Sequence, residues 1–185
     1  MHESRPRLVI LDRDGVVNED SPDFIKSPEE WNSIPGSLSA IARLSQAGFS
    51  VAIATNQSGL ARGLIDASTL EAIHAMMTEE IAAAGGNLAG IFVCPHGPDD
   101  RCECRKPRPG LYRQIGEAFS CDLFAVPVIG DRLRDLEAAV AVGARPMLVR
   151  TGKGETTLAA GGLPDSTEVH ASLEAAARAL LREIG

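Results

Sequence analysis

The chain of 185 residues has no long apolar run. Its N-terminus, Met1-His2-Glu3-Ser4-Arg5-Pro6-Arg7, is followed by only a short aliphatic stretch before charge resumes. That argues against a signal peptide and a membrane span, and predicts a cytoplasmic protein with no membrane partner. An excess of basic residues is also lacking: 18 Lys and Arg face 25 Asp and Glu, a formal charge of −7. A general nucleic-acid partner is therefore disfavoured, and any anion the chain binds must meet a local basic site. Neither a G-x-x-x-x-G-K-[ST] loop nor a G-x-G-x-x-G turn occurs, which argues against a kinase and a dinucleotide enzyme. There is no repeat, coiled coil or low-complexity block. The four cysteines do not make a disulfide framework at this length; three fall within eleven residues, which points to metal ligation. At 44% hydrophobic and 23% charged residues, the length suits one α/β domain spanning 1–185.

What is present is organised around Leu8-Val9-Ile10-Leu11-Asp12-Arg13-Asp14-Gly15. The aliphatic run reads as a buried strand of a parallel sheet, and ligands gather at the carboxyl ends of such strands. Side chains at i and i+2 of an extended segment point the same way, so Asp12 and Asp14 face one site while Arg13 turns aside. One carboxylate can attack and the other can shuttle a proton. Gly15 permits a sharp turn that leaves both uncovered. A strand stopped by a solvated Asp-Arg-Asp-Gly turn is the alternative.

Further along, strand-like and helix-like patterns alternate. Ser37 is expected to cap a helix closed by Gly48, and Phe49–Thr55 to form a second strand. A helix from Ser68 to Ala84, opened by a Ser68/Glu71 capping box, buries Leu70, Ile73, Met77 and Ile81. Ile91–Val93 is a third strand, 110–119 a helix, Val126–Ile129 a fourth strand, and 133–142 another helix. Pro146–Val149 is a fifth strand, 152–162 a mobile surface loop and 172–184 a last helix. This alternation predicts a Rossmann-like parallel sheet with helices on both faces. Asp12 and Asp14, Thr55-Asn56, Arg105-Lys106 and Gly130-Asp131 all follow apolar strands and so collect at one sheet edge. Acids, a hydroxyl and a lysine together suit phosphoryl transfer through a magnesium ion and a carboxylate nucleophile.

Asp12-x-Asp14-Gly15, Thr55-Asn56, Lys106-Pro107 and Gly130-Asp131 resemble, in order, the four motifs of the haloacid dehalogenase (HAD) superfamily, over residues 8 to 151. The resemblance implies that Asp12 attacks phosphorus and forms an aspartyl-phosphate. It implies that Asp14 acts as acid and then base, and that Thr55, the Asn56 backbone N–H and Lys106 hold the transferring oxygens. Magnesium would be held by the Asp12 carboxylate, the Asp14 carbonyl and the Asp131 carboxylate.

Cys94-x-His96 and Cys102-x-Cys104 supply three thiolates and one imidazole, a closed tetrahedral set for structural zinc. Unliganded buried thiols or a redox pair are the alternatives, and Cys121 reads as an ordinary small residue. No cap domain fits between the strands, so the site should be open and a monomer suffices. Substrate choice then falls to loops: Asp20, Ser21, Pro22 and Asp23; Gln57, Ser58 and Arg62; and Arg105, with Arg13 beside the acid pair. Arg62 and Arg105 are candidates for a second phosphate, or else surface arginines. Two capless, zinc-loop groups of the superfamily are similar, phosphatases of heptose 1,7-bisphosphate and of histidinol phosphate. The 55–63 and 148–154 stretches resemble the heptose group, which implies removal of the 7-phosphate on the route to nucleotide-activated heptose for lipopolysaccharide; the short interval from His96 to Cys102 resembles the histidinol group. A non-catalytic sugar-phosphate binder is the reading from a different class, and it leaves Asp14 without a use.

Overall fold

A computed structural model describes residues 7–185. Six strands form one parallel sheet: β1 (Arg7–Leu11), β2 (Phe49–Asn56), β3 (Gly90–Cys94), β4 (Pro127–Gly130), β5 (Arg145–Val149) and β6 (Glu168–His170). Six helices accompany them: α1 (Ser37–Gln46), α2 (Ala67–Ala83), α3 (Gly110–Ala118), α4 (Leu133–Val140), α5 (Gly154–Ala160) and α6 (Leu173–Ile184). Among the described residues no helix is long and apolar enough to cross a membrane.

The period of two in β1 decides how the layers pack. Val9 and Leu11 point into a core with Ile41 and Leu44 of α1, Ile73, Met77 and Ile81 of α2, and Leu173 and Leu180 of α6. Leu8 and Ile10 point the other way, against Leu111, Tyr112 and Ile115 of α3 and Ala138 and Ala139 of α4. All four β1 aliphatics are essentially inaccessible, and burying each contributes roughly 1.5–3 kcal/mol. Strand order is β3-β2-β1-β4-β5-β6, so the winding direction reverses between β1 and β4. A sheet of this type opens a crevice at that reversal, outside the carboxyl ends of the strands. Asp12 leaves β1 there and Asp131 leaves β4.

Several local expectations are corrected. Ser37 is the first residue of α1 and not its cap: Gly36 holds that place at φ 86°, and the Ser37 hydroxyl donates to the Val16 carbonyl at 2.8 Å. Asp66, not Ser68, caps α2, accepting the Thr69 N–H at 2.7 Å and the Ser68 hydroxyl at 2.8 Å. The aspartate carries a full charge at the positive end of the helix, and that outcompetes a neutral hydroxyl. The expected loop at 152–162 contains α5, and β6 had no sequence expectation, because three strand residues make too short a pattern. The tail nonetheless completes the sheet: Arg145 of β5 bonds both Glu168 of β6 and Glu183 of α6.

Candidate active site

Asp12 lies one residue beyond β1, with Oδ1 accepting the Arg13 N–H at 2.8 Å and 3.1 Å from Lys106 Nζ. Burial and the neighbouring Asp135 push its carboxyl up to about 6, against the opposing pull of Lys106. Asp14 is treated oppositely. Burial raises its pKa, but the Arg13 charge and hydrogen bonds from Asn18, Arg13 and Gln57 outweigh that and lower it. Arg13 Nη2 and Asn18 Nδ2 reach Asp14 Oδ1 at 2.8 and 2.9 Å, and Gln57 Nε2 reaches Oδ2 at 2.8 Å. Two carboxylates two residues apart thus sit in contrasting fields.

Lys106 enters from the loop after β3. Its ammonium is fully buried, donates to the Ala54 carbonyl at 2.8 Å, and lies 2.7 Å from Asp135 Oδ1. Burial lowers its pKa, but Asp12 and Asp135 outweigh that and raise it. Asn56 fixes the loop through its side chain: Nδ2 donates to the Lys106 carbonyl at 3.1 Å, and Oδ1 accepts the Lys106 N–H at 3.2 Å.

Asp131 is sealed at the end of β4. One oxygen, Oδ2, accepts the Lys153 N–H at 2.8 Å; the other, Oδ1, is buried without a partner. Burial, then Asp12 and Asp135, push this carboxyl up to about 8. Gly15 (φ 83°) and Gly152 (φ 58°) make the space, because a Cβ on either would collide with Asp131 Oδ2. Carboxylate oxygens of Asp12, Asp131 and Asp135 all lie within 4.8 Å of one another. Three acids crowded against one lysine, with an orphaned buried oxygen, fit a hard divalent cation.

The second cluster is soft. Sγ atoms of Cys94 and Cys102 are 3.9 Å apart, those of Cys94 and Cys104 are 3.2 Å apart, and His96 Nδ1 is 3.6 and 3.3 Å from Cys94 and Cys104. Around a tetrahedral ion with sulfur ligands at about 2.3 Å the edge is about 3.8 Å, so the four donors can hold one metal. Burial pushes the Cys94 thiol up to about 12, which is a cost a bound cation removes. Arg105 extends from this loop with Nη1 donating to the His96 carbonyl at 3.1 Å. Cys121 stands apart and bonds the Asp122 carbonyl.

A cleft of about 280 Å³ opens at these groups, and its lining includes Asp12, Asp14, Asp20, Ser21 and Pro22 together with Asn56, Gln57, Ser58 and Arg105. Several residues expected to touch substrate do not line it. Arg13 is buried beneath, clamped between Asp14 and His74 Nε2 at 3.1 Å, because a buried guanidinium next to a carboxylate pairs with it. His74 is pushed down to about 4 by burial and by Arg13, so it accepts from the guanidinium as a neutral ring. Arg62 is exposed and lies over the Phe24 ring, 5.7 Å from its centroid. Asp23 is exposed, with its N–H donating to Ser21 Oγ. Thr55, Lys106 and Asp131 are buried at the floor, and Thr55 Oγ1 accepts from Gln57 Nε2 at 2.8 Å.

Sequence reasoning missed Asp135, four residues after Asp131, which also accepts the Arg132 N–H at 3.1 Å at the start of α4. It also missed Phe24, Ile25, Arg132, Arg134 and Lys153 in the cleft wall. Arg132, Arg134 and Lys153 follow β4 or β5 by two to four residues, where the ligands of a parallel sheet gather.

Two family profiles match, one described as HAD-hydrolase-like over residues 103–176 and one as polynucleotide kinase 3 phosphatase over residues 8–128. The D-glycero-beta-D-manno-heptose-1,7-bisphosphate 7-phosphatase of Bordetella bronchiseptica is 59% identical, over 96% of this chain and 99% of its own. The chain belongs to the HAD-like hydrolases, in the family of the heptose bisphosphate phosphatases. The Pseudomonas aeruginosa relative of the same name is 56% identical over 95% of this chain and 98% of its own. A crystal structure of the B. bronchiseptica enzyme, complexed with magnesium and phosphate, superposes with a TM-score of 0.94 over 96% of this chain and 99% of that one, at 59% identity. The Burkholderia thailandensis enzyme gives 0.76 at 48% identity, over 95% of this chain and 98% of that one. For this family member, the capless parallel sheet and the phosphatase class expected from the sequence are both met.

Proposed function

We propose that this hydrolase removes the 7-phosphate of D-glycero-β-D-manno-heptose 1,7-bisphosphate through an aspartyl-phosphate on Asp12. The observation that carries the chemistry is Asp12 at the cleft floor, 3.1 Å from the buried Lys106 ammonium and beside the separately tuned Asp14. The substrate is taken from the relatives, which match from end to end at up to 59% identity.

In this reading an Asp12 oxygen attacks phosphorus in line, the bond from phosphorus to the sugar oxygen breaks, and Asp14 gives the leaving oxygen its proton. An arriving phosphate dianion raises the proton affinity of Asp14 by like-charge repulsion, which equips an otherwise ionised group to act as the acid. Water then yields its proton to Asp14 and attacks the acyl phosphate, freeing Asp12. Lys106 and Thr55 hold the transferring oxygens, while Arg13, Asn18 and Gln57 hold Asp14. Asp12, Asp131 and the Asp14 carbonyl would hold magnesium. That ion, when bound, neutralises the carboxylates and stabilises charge on the phosphoryl group. Cys94, His96, Cys102 and Cys104 would hold zinc, which keeps Arg105 at the cleft wall. Zinc thiolates require reduced cysteines, in keeping with a cytoplasmic protein; a monomer is sufficient for the site, and sedimentation checks it.

Phosphate release with magnesium from the β and α anomers of the bisphosphate and from L-histidinol phosphate, with Asp12→Asn as blank, tests the reading. A large kcat/KM preference for the β anomer is expected. Preference for histidinol phosphate would overturn the substrate while keeping the catalytic assignments.

A further inference from the structure

We propose that Arg134 is the residue that recognises the second phosphate of the substrate, the one that remains on the sugar after cleavage. This rests on the bisphosphate reading above and deepens it.

A chain of net charge −7 concentrates Arg105, Arg132, Arg134 and Lys153 in the wall of the cleft that also holds Asp12 and Asp14. Most other arginines that the fold draws inward are neutralised on the spot. Arg13 pairs with Asp14, Arg132 with Asp20 at 2.7 Å, and Arg145 with Glu168 and Glu183. Arg134 is different. It is half-buried, its side chain makes no hydrogen bond or ion pair among the described residues, and its Nε is buried without a partner. A buried guanidinium nitrogen left unpaired costs free energy, and an anion in the cleft removes that cost.

Position supports the same conclusion. Arg134 sits in the first turn of α4, next to Asp135, whose carboxylate is locked by Lys106 and by the Arg132 N–H. The backbone that carries the guanidinium is therefore held beside the reacting end. Arg105 reaches the same cleft from the zinc loop, tethered by its bond to His96. A neighbouring cavity of about 390 Å³ is also lined by Arg132, Arg134 and Lys153, so these cations are reached from two sides and the wall they form does not block a bulky phosphate. A guanidinium can grip a phosphate in bidentate fashion, whereas the exposed Lys153 offers only a point charge.

The test compares magnesium-loaded wild type with Arg134→Gln on the β-bisphosphate and on heptose 7-phosphate, which lacks the second phosphate. The expected result is a loss of about 30-fold in kcat/KM on the bisphosphate, mainly in KM, and a much smaller loss on the monophosphate. The ratio between the substrates should fall at least about tenfold, and Arg134→Lys should restore part of it. Product inhibition by heptose 1-phosphate should weaken in parallel in both variants. A wild type that prefers the bisphosphate, with the same ratio and the same product inhibition in Arg134→Gln and Arg134→Lys, would overturn the role of Arg134 alone. A wild type with no preference for the bisphosphate would overturn the reading on which it rests.

Discussion

The two clusters of this protein that could hold a metal ion are built on opposite plans. The soft one, Cys94, His96, Cys102 and Cys104, comes from one short loop, and its four donors close on themselves. The hard one, Asp12, Asp131 and Asp135, is assembled from the ends of β1 and β4 and the start of α4, and it abuts a cleft. A closed tetrahedron stabilises a loop and leaves no place for substrate. An open set of like charges is unstable alone and keeps an unused oxygen on Asp131. The difference separates structural from catalytic metal sites: instability is tolerated only where a cation and a substrate relieve it.

The largest effect is expected of Asp12→Asn. Turnover should fall at least about a thousandfold, since nothing else at the cleft floor is placed to attack. Because Asp12 is held at about 6 by burial and Asp135, removing its charge should not lower the melting temperature of chelator-treated protein, and should raise it. Residual hydrolysis above one part in a hundred would place the nucleophile elsewhere. Lys106→Met attacks the same cluster from the other side. Removing the buried ammonium leaves Asp12 and Asp135 without their cation, a loss of about 3–5 kcal/mol by urea unfolding, with activity lost as well.

On the soft side, Cys102→Ser should lower zinc content and melting temperature together, by about 5 °C or more. Activity should fall less than in the two variants above, and indirectly, because Arg105 is anchored to the His96 carbonyl. Full zinc occupancy in this variant would refute the ligand set.

The two plans also explain what was legible. The cysteine cluster lies in eleven consecutive residues, so spacing alone exposed it. The sheet was legible because β1, β2 and β4 carry dense aliphatic runs. The acid cluster was legible only in part: Asp12 and Asp131 directly follow strands, whereas Asp135 is one helical turn into α4 and reads as an ordinary helix-start acid. Arg13 shows the same limit from the other side. An arginine between two catalytic acids looks like a substrate ligand, yet its burial against His74 is a tertiary fact that no local pattern carries.

A pH series sharpens the comparison without mutation. Asp12 and Asp131 are raised to about 6 and about 8, whereas unfolded aspartate titrates near 3.9. From about pH 4 to pH 8 these two carboxyls therefore bind more protons folded than unfolded and make the unfolding free energy in chelator fall as pH rises; His74, held at about 4 in the fold, opposes them below about pH 6.5, so the fall should be clearest from there to pH 8. Asp14, lowered in the fold, acts oppositely, losing its contribution only as pH falls through its folded value. Magnesium binds the ionised carboxylates, so it should flatten the slope between pH 5 and 8 in chemical denaturation. An equally steep fall with magnesium present would mean that the acid cluster does not hold the ion.

The smallest effect belongs to Arg62. By sequence it stood level with Arg105 as a phosphate ligand, but its side chain is exposed and rests on Phe24, itself part of the cleft wall. An exposed contact between a cation and a ring is worth about 0.5–1 kcal/mol. Arg62→Ala should therefore change kcat/KM on the bisphosphate by less than about fivefold and leave the melting temperature within about 3 °C. A loss as large as that expected of Arg134→Gln would mean that the loop after β2 closes on the substrate and brings Arg62 to the phosphate. The wall of cations would then extend from the α4 side of the cleft to the β2 side.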